Sequence, residues 1–138
     1  MHCLPSKAGL ALSPSLLVVV LSAFFGTAFA QIASDPQAAA KRGLKIYAAK
    51  CSACHSVDEH SVGPAHAGVL GRRAGKAKGY DYSEALKKSK IVWSRADLER
   101  WLTDPEKVIP GQRMGYRLSL PNERADVVAY LSTLSAPK

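Results

Sequence analysis

Cys51-Ser52-Ala53-Cys54-His55 is the stretch of this chain that decides the fold. It contains two thiols separated by two residues, followed directly by an imidazole. This spacing is typical of c-type haem attachment, in which the thiols form thioethers with haem vinyl groups and the histidine coordinates the iron. The motif therefore predicts one covalently attached haem c, held by Cys51 and Cys54, with His55 as an axial ligand.

The same pair of cysteines has two other possible uses. A CxxC pair occurs in thioredoxin-like redox sites and as half of a zinc site. A thioredoxin-like site would need a strand before the motif, and a zinc site would need four ligands. The sequence meets neither condition, so haem attachment remains the interpretation.

The sixth iron ligand is expected far along the chain from the motif. Met114 is the only methionine after the initiator, and it follows Ile109-Pro110-Gly111, which favours an extended loop. A methionine packed in the core is the alternative. His60 and His66 are rival ligands, but His60 follows His55 too closely to reach the opposite face and His66 is flanked by small residues. His/Met ligation favours ferrous iron and closes both axial positions to oxygen or peroxide.

The first thirty residues differ from the rest of the chain. A largely apolar stretch from Ala8 to Phe25 leads to Ala28-Phe29-Ala30, which has the small residues of a signal-peptidase site. We expect residues 1–30 to be a cleaved signal peptide and residues 31–138 to form one domain in the periplasm. An uncleaved anchor is the alternative, since roughly 20 apolar residues span a bilayer, although Pro14 favours cleavage.

The charge of the mature chain indicates the kind of partner. The whole chain has 19 Lys and Arg against 11 Asp and Glu; of these the leader holds only Lys7, so 18 basic residues remain against 11 acidic ones. Export and the spread of the basic residues argue against a nucleic-acid partner. An acidic redox protein fits better. We expect a monomer without stable membrane insertion once the leader is removed.

The remaining pattern predicts an all-α domain of four to five short helices. Two irregular stretches, His60–Gly79 and Val108–Asn122, are long for a compact domain unless they wrap a cofactor. No stretch is typical of a sheet. The predicted helices are Pro36–Cys54, Tyr82–Lys88, one from Ser94 to the Asp104-Pro105 stop, and about Asn122–Ser135.

From Gly43 to Leu131 the sequence resembles class I cytochromes c of the mitochondrial and bacterial short-chain type. The resemblance implies a cytochrome c fold whose N- and C-terminal helices cross, and an electron carrier rather than an enzyme. The motifs that carry it, besides the haem motif, are Gly43 with Tyr47, Gly63-Pro64, Gly71-Arg72, Gly79-Tyr80-Asp81-Tyr82, Trp93, Ile109-Pro110-Gly111 with Met114, and Arg124-Ala125-Asp126 through Tyr130-Leu131.

The resemblance also implies roles for residues around the haem. The Pro64 carbonyl should accept a hydrogen bond from the second ring nitrogen of His55. Arg72, Tyr82 and Trp93 should contact the haem propionates, although the two aromatic residues also suit an ordinary core. Gly43 should let the first helix cross the last near Val127 and Tyr130. A ring of basic residues for docking is implied at Lys45, Lys50, Lys107 and Arg113, interrupted by Glu106.

Several positions depart from the mitochondrial pattern. Ala65 and Leu86 replace asparagines, Trp101 replaces a tyrosine, Gln112 replaces a threonine, and the loop from His55 to Pro64 is shorter. These changes alter the hydrogen bonds beside Met114. We expect Trp101 to pack on the haem face without donating a hydrogen bond as the tyrosine of the family does.

The sequence thus predicts a soluble periplasmic carrier of single electrons. Two alternatives keep the same chemistry: a carrier tethered by a retained leader, and a haem subunit of a larger oxidoreductase. A haem peroxidase or gas sensor is a third alternative. It needs an open iron position, and Met114 argues against that.

Overall fold

A computed structural model describes residues 35–136 of the chain. The predicted signal peptide, its cleavage site after Ala30 and the two ends of the predicted domain 31–138 lie outside the described residues. Among residues 35–136, no helix combines the length and the apolar character that a membrane crossing requires.

Short helices joined by long loops make up the described part of the chain. They are α1 (Pro36–Lys50), α2 (Glu84–Lys88), α3 (Arg95–Thr103), α4 (Pro105–Val108) and α5 (Pro121–Leu131). Within residues 35–136 the β pairing is limited to one isolated bridge between Arg73 and Val92. The prediction of an all-α domain with four to five short helices is confirmed.

Capping side chains explain where the helices begin. The Asp35 carboxylate accepts from the Gln37 amide, and Pro36 occupies the first helical position, where its missing N–H is harmless. Ser94 and Asp97 form a capping box at the start of α3. The sequence signals for both helix starts are therefore present in the structure.

Two helices end before the residues expected from the sequence. Helix α1 stops at Lys50 rather than Cys54, because the amides of Cys51 and Ser52 both bond to the Tyr47 carbonyl and tighten the chain into a turn. Helix α5 is Pro121–Leu131 rather than Asn122–Ser135. The haem motif consequently lies in a turn after α1 and not within the helix.

Helices α1 and α5 cross at Gly43. A Cβ at this position would overlap the Asp126 carbonyl oxygen and lie 2.9 Å from the Tyr130 Cβ, so only glycine permits this approach. Arg42 bonds to both carboxylate oxygens of Asp126 at 2.7 Å beside the contact. The predicted crossing of the terminal helices is confirmed, with Asp126 rather than Val127 against the glycine.

The hydrophobic core lies below this crossing. Leu118, Val127 and Val128 are among its largest fully buried side chains, each at most 2% exposed. Burying side chains of this size contributes about 1.5–3 kcal/mol each. The core continues through Trp93 and Trp101 to the wall of a cavity, so the same side chains hold the fold and shape the site.

Candidate haem site

A cavity of about 500 Å³ lies between α1, α3, α5 and the two long loops. Its wall includes buried apolar side chains, among them Val69, Leu98 and Leu131. All nine site residues predicted from the sequence line it: Cys51, Cys54, His55, Pro64, Arg72, Tyr82, Trp93, Trp101 and Met114.

The cavity fits a haem in size and in chemistry. Pockets for cofactors and other small molecules span about 300–1,000 Å³ and are mostly apolar with a few polar groups. An empty apolar cavity of this volume would lower the free energy of unfolding by on the order of 10 kcal/mol. That loss is comparable to the whole stability of a small domain. A large, flat, apolar group with bonds to sulfur and nitrogen therefore suits the wall.

The two motif cysteines lie at the edge of the cavity. Cys51 is half-buried and Cys54 is exposed, and neither forms a disulfide. Burial raises the pKa of the Cys51 thiol to about 11, with Lys50 acting in the opposite direction, whereas a reactive redox cysteine has a lowered pKa. In the part of the chain that the structure covers, no three or more His, Cys, Asp or Glu side chains gather into a metal site. The geometry thus favours neither a thioredoxin-like nor a zinc site.

His55 is oriented by the backbone that follows it. Its Nδ1 lies 2.9 Å from the Pro64 carbonyl oxygen, and because a carbonyl only accepts, Nδ1 must carry the proton. Burial lowers the pKa of His55, an effect that the Pro64 bond opposes. A Cβ on Gly63 would lie 2.7 Å from His55 Nε2. The Cβ would also overlap Cε1 of the ring, so only glycine at position 63 leaves room for the His55 imidazole.

The two rival histidines lie where neither can be the opposite ligand. Both His60 ring nitrogens are used by the backbone: Nδ1 accepts from the Ala65 amide at 3.0 Å and Nε2 lies 2.9 Å from the Lys78 carbonyl. His66 stacks on His55 itself, with ring centroids 4.1 Å apart. Burial lowers the pKa of His66 to about 3, with smaller effects from His55 and Arg72, so its ring is neutral.

Met114 is half-buried in the loop after α4 and packs against the core. The Trp101 indole N–H donates to its sulfur at 3.1 Å. The expectation that Trp101 would not donate is therefore wrong. The indole of Trp101, on α3, packs at 5.2 Å against Trp93, and this contact aims the N–H at the thioether.

Glu106 organises the methionine loop, a role that the sequence did not suggest. Its carboxylate accepts from the Gly111 amide at 2.9 Å and from the Gln112 side chain at 3.2 Å. The Gln112 side-chain oxygen in turn accepts from the Met114 amide. From the sequence, Glu106 was only a gap in the ring of basic residues. Glu106 lies five residues before the glycine turn at Gly111, and this spacing was the one feature of the sequence that could have indicated its role in the loop.

The three residues expected near the haem propionates all line the cavity, and the Trp93 amide donates to the Arg72 carbonyl oxygen at 3.0 Å. Arg72 donates to the carbonyl oxygens of Ala65 and Ala67, both at 2.9 Å. Burial raises the pKa of Tyr82, while Arg72 nearby lowers it. Trp93 is buried at the α3 side of the wall. A cation, a hydroxyl and an aromatic ring thus face the same space.

Three comparisons with known proteins agree on one family. The family model described as Cytochrome c matches residues 40–135. Cytochrome c of Guizotia abyssinica is 40% identical over 111 residues, covering 78% of this chain and 100% of that protein. Cytochrome c2 of Rhodomicrobium vannielii is 36% identical over 121 residues, covering 85% of this chain and 93% of that protein. The solved structure of cytochrome cH from Methylobacterium extorquens is 46% identical with a TM-score of 0.65, covering 68% of this chain and 97% of that one.

Proposed function

This chain belongs to the cytochrome c family, and we propose that it is a periplasmic carrier of single electrons with His55 and Met114 as axial ligands. Proteins of this family are electron carriers rather than enzymes and bind covalently attached haem c. The observation that carries the proposal is the convergence of both motif thiols, His55 and Met114 on one apolar cavity.

The residues of this chain divide the work of holding the cofactor. Cys51 and Cys54 attach the haem, which when bound gains and loses one electron. The Pro64 carbonyl keeps the His55 proton on Nδ1, so Nε2 presents its lone pair to the cavity. Trp101 and the Glu106–Gln112 pair orient the Met114 sulfur and its loop. A site closed on both sides by the protein favours electron transfer over reaction with oxygen.

Optical spectra of the oxidised and reduced protein test the ligand assignment. A weak near-infrared band from the sulfur-to-iron transition is expected in the oxidised state, since only methionine ligation produces it. The reduced protein should not bind carbon monoxide at neutral pH, because Met114 occupies the sixth position. A colourless protein, or rapid carbon monoxide binding, would contradict the proposal.

Trp101→Phe is expected to lower the reduction potential. The indole N–H withdraws electron density from the Met114 sulfur, so losing it makes the thioether a better donor to ferric iron. A hydrogen bond worth about 1 kcal/mol corresponds to roughly 40 mV for one electron. Potentiometric titration measures the shift. The reduction potential of Trp101→Tyr, which keeps a hydrogen-bond donor, should fall less than that of Trp101→Phe. Equal potentials in the wild type and in Trp101→Phe would show that the hydrogen bond to Met114 has no effect on the iron.

We propose that the partners dock near the cavity mouth through acidic surfaces. Lys50 and Arg113 line the cavity, although each also pairs within the protein, Lys50 with Glu123 at 2.7 Å and Arg113 with Asp81 at 3.6 Å. The side chain of Arg113 is 65% exposed, which leaves it available to a partner. Such a surface accelerates association with anions, and salt weakens the effect.

Arg113→Glu is expected to slow oxidation of the reduced protein by ferricyanide severalfold at low salt, because the anionic oxidant then meets a reversed charge at the mouth. Stopped-flow measurements across ionic strength give the rate and its salt dependence. Lys90→Glu is the matched control, since it makes the same charge change at an exposed residue outside the cavity wall. Equal slowing of oxidation in both variants would show that the change in net charge, and not the position of Arg113 at the cavity, determines the rate.

Export and processing complete the proposal. The predicted leader, residues 1–30, supports a periplasmic location, and cleavage after Ala30 would release the carrier. The mass of the native protein, measured together with membrane fractionation, distinguishes a cleaved carrier from a tethered one.

A further inference from the structure

We propose that His66 is a positioning residue for the histidine ligand. Its ring fixes the rotation of the His55 imidazole about the bond from Nε2 to the iron. The inference rests on the proposed function, because it takes His55 as an axial ligand. It concerns a side chain that the sequence suggested only as a rival ligand.

The contact between the two imidazoles is closer and flatter than any other aromatic pair between residues 35 and 136. The ring centroids of His55 and His66 are 4.1 Å apart and the planes differ by 18°. The other aromatic pairs lie at 4.8–5.6 Å with planes 53–72° apart. A stacked pair resists tilting, because rotating one ring drives its edge into the face of the other.

The stack and the Pro64 bond restrain His55 in different directions. The carbonyl of Pro64 lies 2.9 Å from Nδ1 and holds the edge of the ring. The face of the ring is held by His66. With only the hydrogen bond, the imidazole retains freedom to twist about that anchor. The two contacts together define a single ring plane.

His66 is itself held by the helix crossing. Its Nδ1 lies 3.1 Å from the Tyr47 hydroxyl, and Tyr47, on α1, packs at 5.2 Å against Tyr130 of α5. His55, His66, Tyr47 and Tyr130 form a continuous series of ring contacts, which we term the aromatic column. The crossing of α1 and α5 thereby supports the plane of the His55 ring.

An imidazole at this position is more than a space-filling group. A partly buried polar ring costs free energy unless it is hydrogen-bonded, and an aliphatic side chain would fill the volume without that cost. The hydrogen bond to Tyr47 offsets the cost and also orients the ring. A flat ring with a fixed orientation is what a stacking support requires.

Proton NMR of the oxidised protein tests the inference, since the paramagnetic shifts of the haem methyl groups report the orientation of the axial ligand planes. His66→Leu is expected to narrow the spread of the methyl shifts, because the freed imidazole averages over several orientations. Relative to His66→Leu, His66→Phe restores a flat ring without the hydrogen bond to Tyr47 and should recover part of the spread. Tyr47→Phe keeps His66 but removes its anchor, so an intermediate change is expected.

Leu118→Ala is the control, because Leu118 is buried in the core and does not line the cavity. It should lower stability and leave the methyl spread unchanged. An unchanged spread in both His66→Leu and Tyr47→Phe, with the near-infrared band intact, would overturn the inference alone. Absence of that band in the wild-type protein would instead refute the ligand assignment. If His66→Leu does not fold, Tyr47→Phe and His66→Phe decide the question.

Discussion

Met114→Ala is expected to abolish the near-infrared band and to allow the reduced protein to bind carbon monoxide. The substitution removes the only thioether in the described part of the chain, so water or another hard ligand takes the sixth position. Hard ligands favour ferric iron, and the reduction potential should fall by roughly 100 mV or more, a fraction of the ~0.8 V that axial ligands span. This is the largest functional effect that we expect from a single substitution.

A residue of the same loop provides the control for this experiment. Ser119 is exposed and does not line the cavity. Ser119→Ala therefore changes the loop without touching the sulfur or the cavity wall, and it should keep the band and exclude carbon monoxide. If the band survived in Met114→Ala, methionine would not be the ligand.

The spectra also separate the carrier from the rival haem functions. A peroxidase or gas sensor needs an open iron position. Met114 packs against the core and is held by Trp101 on one side and by the Gln112 side chain on its amide. The side chain and the backbone amide of Met114 are thus both restrained, as the proposed ligand role requires. Under the proposed ligation, Met114→Ala would therefore open an iron position that the native residue closes.

The chemistry of the site was accessible from the sequence because it depends on residue types at fixed spacing. The CxxCH motif predicted the roles of Cys51, Cys54 and His55 from local sequence. Met114 followed because it is the only methionine after the initiator. The structure places all four on one cavity. Such signals are independent of the details of packing. The all-α fold was predictable from the pattern of short helices and long loops, whereas the crossing of the terminal helices was predicted from the resemblance to class I cytochromes c.

The direction of side chains was not accessible in the same way. Whether Trp101 donates to Met114 depends on the angle at which α3 presents the indole, and that angle is set by packing against Trp93. The position of His66 depends similarly on contacts with His55 and Tyr47. These residues are distant in sequence, so local pattern carries no information on their relative orientation.

The start of helix α4 shows how one pair of residues can indicate both the end of a helix and the start of the next. Asp104-Pro105 predicted the end of a helix, and α3 does end there. The Asp104 side chain also accepts from the Lys107 amide, and Pro105 takes the first position of a new helix. Proline excludes continuation of the preceding helix but favours the start of another, so a stop and a start have the same local sequence.

Gly43→Ala is expected to destabilise the protein by about 3 kcal/mol or more, the largest stability loss that we expect from adding a single methyl group. The new Cβ would overlap the Asp126 carbonyl oxygen, which belongs to the backbone of α5 and cannot move without the helix. The Arg42–Asp126 pair fixes that helix at the same point. Helices α1 and α5 must therefore separate, and the core beneath them loses contact.

The sign of this effect distinguishes crowding from helix propensity. Alanine normally stabilises a helix interior by roughly 0.5–1 kcal/mol relative to glycine, so without the contact Gly43→Ala would raise stability. Guanidinium unfolding followed by far-ultraviolet circular dichroism measures the change, and Ser119→Ala again serves as the control because its side chain is exposed and lies outside the cavity wall. A midpoint for Gly43→Ala at or above that of the wild type would show that α1 and α5 do not approach each other as closely as described. The contact between Tyr47 and Tyr130 would then no longer anchor the aromatic column.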